Sequence, residues 1–261
     1  MINIKTDAEV ELLRQSNLLV SATHAAIVPY MKPGVETKKI DAIAETFIRD
    51  HGATPGFKGY QGFPASLCIS VNDQVVHGIP SAYELKDGDI VSVDCGVYMN
   101  GFHGDSAFTF EIGEVKPEIH MLLQVTRESL FRGIEKAVVG NRIGDIGNGV
   151  QQWAEKNHFS VVREMVGHGV GRNLHESPEV PNYGRSGSGL KLKNGMVLAI
   201  EPMINYGKRF IFQHDDGWTI STSDGSWSAH FEHSVVIRPG KADVLSDFSI
   251  IDEAIRKKDN N

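Results

Sequence analysis

The chain has 261 residues, 41% of them hydrophobic and 23% charged, with a formal net charge of −7. That is enough chain to bury one large core or two small ones, and the acidic balance gives no ground for a nucleic acid or an anionic membrane as partner. No run approaches the roughly 18 apolar residues of a bilayer span. Met1 to Asn17 lacks the apolar core of a signal peptide, and Cys68 and Cys95 are too few for a disulfide framework. Both cysteines are expected as buried free thiols, in a protein of the cytoplasm.

Thr6-Asp7-Ala8-Glu9 has the form of a capping box. It predicts a helix from about Asp7 to Val28 with an apolar set of Val10, Leu13, Leu18, Ala22, Ala25 and Ala26, stopped near Pro29. After a turn at Met31 to Gly34, Thr37 can cap a second helix, with Ile40, Ile43, Ala44, Phe47 and Ile48 on one face, ended by Gly52. Ile90 to Val93 reads as a strand ending in Asp94; Met99-Asn100-Gly101 reads as a turn, and Ala107 to Phe110 as the returning strand. Pro117 opens a third helix (Ile119, Leu122, Leu123, Leu130, Ile134), Gly140 breaks it, and Asp145 can cap a fourth carrying Ile146, Val150, Trp153 and Ala154. Strands follow at Met196 to Ile200, before Glu201-Pro202, and at Ala229 to Ile237, around Glu232. Arg256 to Asn261 is charged and expected to fray.

The second half repeats the first. With Gly34 set on Gly140, Ile40, Ala44, Phe47 and Ile48 fall on Ile146, Val150, Trp153 and Ala154. LKDGDIVSVD (Leu85 to Asp94) echoes LKNGMVLAIE (Leu192 to Glu201), and His77-Gly78-Ile79 echoes His168-Gly169-Val170. Three coincidences in one order predict a duplicated unit, about 7–112 and 113–240. The expectation is a single α+β domain over 1–261, with pseudo-twofold symmetry, antiparallel strands inside and helices outside.

The chemistry sits where these units end. An ionised carboxylate on an apolar strand costs several kcal/mol unless it is paired or binds a metal. Asp94 and Asp105 would meet across a hairpin, an unfavourable pairing without a cation between them. Adding Glu201, Glu232 and His168, which lies between two glycines, gives four carboxylates and one imidazole at strand ends. Oxygen-rich ligation with a single imidazole suits Mn²⁺, Fe²⁺, Co²⁺ or Zn²⁺, and four negative charges balance two divalent ions. Each residue alone reads more simply as a turn, solvated edge or loop residue; five together at duplicated positions do not. His77 and His175, in loops close in sequence to these segments, could donate to a substrate carbonyl or tetrahedral intermediate. His24, His51, His120 and His158 are expected at the surface or at helix ends.

Asp94, Asp105, Gly167-His168-Gly169-Val170-Gly171-Arg172, Glu201-Pro202 and Phe231-Glu232-His233 resemble the signature of type 1 methionine aminopeptidases, as do Val71-Asn72 and His77-Gly78-Ile79-Pro80, over essentially the whole chain. The resemblance implies the pita-bread fold: a curved antiparallel sheet covered by two pairs of helices. It also implies removal of the initiator methionine from peptides and nascent chains by hydroxide attack at a dinuclear metal centre. Asp94 would bind one metal and His168 with Glu201 the other, with Asp105 and Glu232 bridging; Glu201 would be the general base. His77 would contact substrate and His175 would stabilise the oxyanion. Tyr60, Phe63, Cys68, His77 and Trp218 would form the methionine pocket, where soft and aromatic surfaces suit a thioether. A monovalent cation, Na⁺ or K⁺, would sit near Asn72 and Ser228. The ribosome would be a partner, and the chain is expected to be a monomer.

Phe57, Leu174 and His230 depart from the pattern, standing where many relatives have a smaller or sulfur residue, a phenylalanine and a glutamine. A proline peptidase of the same fold would have a large extra N-terminal domain and a histidine in place of Arg172. A type 2 enzyme would have an insertion between Glu201 and Glu232, which only thirty residues separate here. A binding module of this fold would have lost the ligands, all five of which are present.

Overall fold

The computed structural model describes residues 2–260. Helix α1 (Asp7–Ile27) opens with the expected capping box: Glu9 N–H donates to Thr6 Oγ1, and Thr6 N–H donates to the Glu9 carboxylate. Its buried face matches the predicted apolar set only in part: Val10 and Leu13 are buried, while Ala22, Ala25 and Ala26 are half-buried. Leu18 is exposed, whereas Leu13, Asn17, Val20, His24 and Ile27 are buried. Five polar residues of α1, Ser16, Asn17, Ser21, Thr23 and His24, are buried, and a purely apolar pattern misses them. His24, expected at the surface, is fully buried, with its ring nitrogens 3.2 and 3.1 Å from Val20 O and Val93 O.

Helix α2 (Thr37–Asp50) begins one residue earlier than a Thr37 cap requires. Thr37 lies inside the helix, and its Oγ1 donates instead to Ser81 O. Helices α3 (Pro117–Ile134) and α4 (Ile143–Lys156) form the second pair. Asp145 is in the first turn of α4 rather than at its cap, and accepts from Arg142 N–H at 2.8 Å. Helix α5 (Phe248–Asp259) runs through residues expected to fray. Asp252 pairs with Arg127 at 2.6 Å and Lys258 Nζ donates to Met31 O, which holds α5 in place. Asn261 lies outside the described residues.

The strands are β1 (Thr54–Pro55), β2 (Leu67–Val71), β3 (Gln74–Val76), β4 (Ile90–Met99), β5 (Phe102–Glu111), β6 (Ser160–Val161), β7 (Gly167–Gly169), β8 (Glu176–Val180), β9 (Val197–Ile200), β10 (Met203–Asn205), β11 (Ile211–Gln213), β12 (Ile220–Thr222), β13 (Ser228–His230), β14 (His233–Val236) and β15 (Asp243–Val244). Every pairing between them is antiparallel, in four small sheets rather than one continuous surface. One sheet holds β1, β2, β4 and β5; another runs β15-β14-β9-β7-β8. The main core lies between these sheets and the helices, with Ile40, Ile48, Ile90, Val93, Leu122, Ile146, Leu198 and Ile200 essentially inaccessible.

Two sheets are stitched together at their centre. Glu232 N–H donates to Ala107 O at 2.9 Å, Ser106 Oγ to Glu232 O at 2.6 Å, and Ser234 Oγ to Asp105 O at 2.9 Å. This seam joins β5 to β14 and sets the two halves' carboxylates against each other.

Candidate metal centre

Asn100-Gly101, both at positive φ, turn β4 into β5. The register pairs Asp94 with Ala107 and Gly96 with Asp105. Asp94 and Asp105 are therefore diagonal neighbours on one face, about 7–8 Å apart at the backbone. Helix α1 covers the other face: a Cβ at Gly104 would overlap the backbone of Ser16 and Asn17. The face bearing Asp94 and Asp105 is thus the one that α1 leaves uncovered.

The second sheet supplies the remaining groups. Ile200 pairs with His233, so Glu201 and Glu232 continue side by side past the ends of β9 and β14. Gly169 on β7 pairs with Leu198 on β9, bringing His168 alongside. His168 Nε2 lies 3.6 Å from Asp105 Oδ2 and 3.5 Å from Glu201 Oε1. Ligand atoms of Asp105, His168 and Glu232 lie within 4.8 Å of one another.

These groups are short of partners. Asp94 Oδ1, Asp105 Oδ1 and Glu232 Oε1 are buried with no hydrogen bond. Burial pushes the Asp94 carboxyl up to about 7. Burial, then the charges of Asp94 and Glu201, raise Asp105 well above the usual carboxylate range. Glu201 is raised by burial and Asp94, and Glu232 by burial and then Asp105, Asp94 and Glu201. His168 is held down at about 3, mainly by burial. Its Nδ1 lies 2.9 Å from Gly169 O; an N–H there leaves the Nε2 lone pair facing the carboxylates. Crowded, orphaned carboxylate oxygens around a ligand-ready imidazole are what hard or borderline divalent cations complete.

The model of metallopeptidase family M24 matches residues 11–239. The chain belongs to that family. It is 55% identical over 246 residues to the methionine aminopeptidase of Clostridium perfringens, covering 94% of this chain and 99% of that one. With methionine aminopeptidase 1 of Bacillus subtilis the identity is 48%, at the same coverage. The crystal structure of methionine aminopeptidase from Rickettsia prowazekii superposes with a TM-score of 0.93 at 40% identity, covering 95% of this chain and all of that one. The architecture is the pita-bread fold of those enzymes.

Beside the carboxylates, this M24 chain has a compact apolar cluster. Phe57, Phe63, Ala65, Cys68 and Leu174 are buried together, with Tyr60, Ile79 and Trp218 packed against them. Four of the five expected pocket residues, and both apolar departures, are therefore in one cluster. Phe57 lies flat over Gly96, where any Cβ would overlap its ring. Trp218 meets Phe63 edge-on at 5.1 Å and His77 at 6.4 Å. His77 is kept neutral, near 4, by burial and then by His175. The His175 ring is 4.2 Å from that of His168, and its Nδ1 is 2.8 Å from Tyr60 Oη.

His230 is buried with Nε2 unpartnered, 3.9 Å from Glu201 Oε2. Asn72 and Ser228 meet through the backbone, Ser228 N–H donating to Asn72 O at 2.9 Å, while the Asn72 side chain is committed to Asp89 and Ile90. Sequence pattern alone did not single out one residue of this neighbourhood: His103, on β5 two positions before Asp105. The i, i+2 spacing on a predicted hairpin was the available signal.

Proposed function

We propose that the protein is a metal-dependent aminopeptidase that removes N-terminal methionine from peptides and nascent chains. The observation that carries this reading is the set of orphaned, charge-crowded carboxylates beside a buried cluster of aromatic and sulfur side chains. Asp94, Asp105, His168, Glu201 and Glu232 would hold two divalent ions, drawn from Mn, Fe, Co and Zn. When bound, such ions polarise a carbonyl and make water a competent nucleophile near neutral pH.

The chain's own groups would do the rest. Phe63, Cys68, Tyr60 and Trp218 accept the thioether side chain and exclude water from it. His77 and His175, both kept neutral, can each donate one N–H to the carbonyl oxygen of the first residue as charge develops there. Glu201 accepts the proton of the attacking water and returns it to the departing amine. Asn72 and Ser228 mark the place of a monovalent cation, Na⁺ or K⁺. The physiological substrates would be chains emerging from the ribosome in the cytoplasm, met by a monomer. Among the described residues no helix is long and apolar enough to cross a membrane. The chain would work as one catalytic domain whose halves, about 7–112 and 113–240, arose by duplication.

The test is release of free methionine from Met-Ala-Ser, first with EDTA and then with Mn²⁺, Fe²⁺ or Co²⁺, beside an Ala-Pro peptide. Metal-dependent cleavage of the methionine peptide alone is expected. Cleavage of the proline peptide instead would refute the assignment.

A further inference from the structure

The ligand face of the β4–β5 hairpin continues beyond the ligands to the turn. Side chains alternate along a strand, so Asp94, Gly96 and Tyr98 share this face with Asp105 and His103, and the register sets Tyr98 against His103. Phe57 covers Gly96. Past it, the Tyr98 and His103 rings meet at a tilt, with centroids 4.7 Å apart. Tyr98 is 40% exposed, although it lies beside a core that buries most aromatic rings. His103 Nδ1 is buried with no partner. His103 N–H donates to Gly171 O at 2.8 Å, which ties this end of the hairpin to the loop bearing His175.

We propose that Tyr98 and His103 form a docking shelf for the substrate polypeptide downstream of the cleaved bond, at the second or third residue after the methionine. This rests on the aminopeptidase reading above. Two strand positions separate His103 from Asp105, about 7 Å. An extended chain leaving the ligand cluster in that direction covers the same distance in two residues. A tyrosine ring offers an apolar face, and an imidazole ring offers an N–H to a peptide carbonyl, so the shelf suits an extended peptide with an apolar residue at that point.

The experiment compares kcat and KM of the Mn²⁺-loaded protein on Met-Ala and on Met-Ala-Ser-Phe-Gly-Lys. Tyr98→Ala and His103→Gln are each expected to lower kcat/KM about fivefold on the hexapeptide, through KM. Both variants should leave the dipeptide within about twofold, and Tyr98→Phe, which keeps the ring, should behave as the unsubstituted chain does. Equal loss on both lengths, or no loss on the hexapeptide, overturns the shelf. Failure of the unsubstituted chain to release methionine from either peptide overturns the aminopeptidase reading and the shelf with it.

Discussion

Single residues in this molecule are informative where burial and polarity conflict. His168 is the sharpest case: a neutral imidazole whose Nε2 faces two carboxylates and whose other nitrogen is oriented by a backbone carbonyl. His168→Ala and Glu201→Gln should each leave a folded chain, judged by circular dichroism, with methionine release reduced at least about 100-fold and Mn²⁺ affinity, by calorimetry, reduced about 10–100-fold. Near-normal rates in either variant would sink the assigned chemistry. His24 presents the same conflict without a catalytic use. The two carbonyls at its nitrogens favour the imidazolium, but complete burial outweighs them and lowers it from 6.5 to about 4. Because the folded value is the lower one, its contribution to stability is intact above about pH 6.5 and is lost as pH falls from there toward 4. The loss is on the order of 2–3 kcal/mol. Urea midpoints across that range should show it, and His24→Leu should flatten the slope; an unchanged slope would mean that other groups carry the acid sensitivity. The carboxylate cluster was legible in the sequence because a carboxylate interrupting an apolar strand is costly enough to require a cation, a proton or a paired base. His24 and Asn17 were not, because their partners are backbone groups distant in sequence or hidden on α1's own inner face.

At the scale of elements, α1 does more than cover the core. Asp105 N–H donates to Asn17 Oδ1 at 3.2 Å, and Ser16 Oγ donates to Phe102 O, so the helix fixes the hairpin that carries Asp94 and Asp105. The approach depends on Gly104. Gly104→Ala must push α1 outward or twist the hairpin, at about 1–3 kcal/mol. Its thermal midpoint should fall, and Mn²⁺ affinity should fall further than in Thr6→Ala, which loses a cap worth about 1 kcal/mol but leaves the interface alone. Equal metal affinity in the two variants would show that α1 does not position Asp105. Helices α1 to α4 could be read from their periodicity, although two caps slipped: Thr37 lies inside α2, where its hydroxyl serves Ser81, and Asp145 works from inside the first turn of α4. Helix α5 escaped notice because only Phe248 and Ile251 are fully buried on it. Its seat is made by an ion pair to Arg127 and by Phe248 stacked on His233 at 3.7 Å, neither visible as a hydrophobic stripe.

Across the whole molecule, the two sheets meet along a seam whose centre is a set of mutually repelling carboxylates. Ser106, Ser234 and the Glu232 amide hold the backbones together there, but no described side chain neutralises the charge. Without a cation, burial raises all four carboxyls, and the charges of their neighbours raise Asp105, Glu201 and Glu232 further. A cation that binds only the folded seam therefore stabilises the entire fold. At one hundred times its dissociation constant a single ion contributes about 2.7 kcal/mol. For a chain of this size that corresponds to a rise in thermal midpoint on the order of 5–10 °C. Scanning calorimetry on EDTA-stripped protein, titrated with Mn²⁺, should show that rise at pH 7.5, and a smaller one at pH 5.5, where protons compete for the same oxygens. Glu232→Gln should abolish most of it, since that carboxyl faces the other three. A chain that gains no stability from Mn²⁺, Co²⁺ or Zn²⁺ would be a binding module built on this fold, with the charged seam serving something other than a metal.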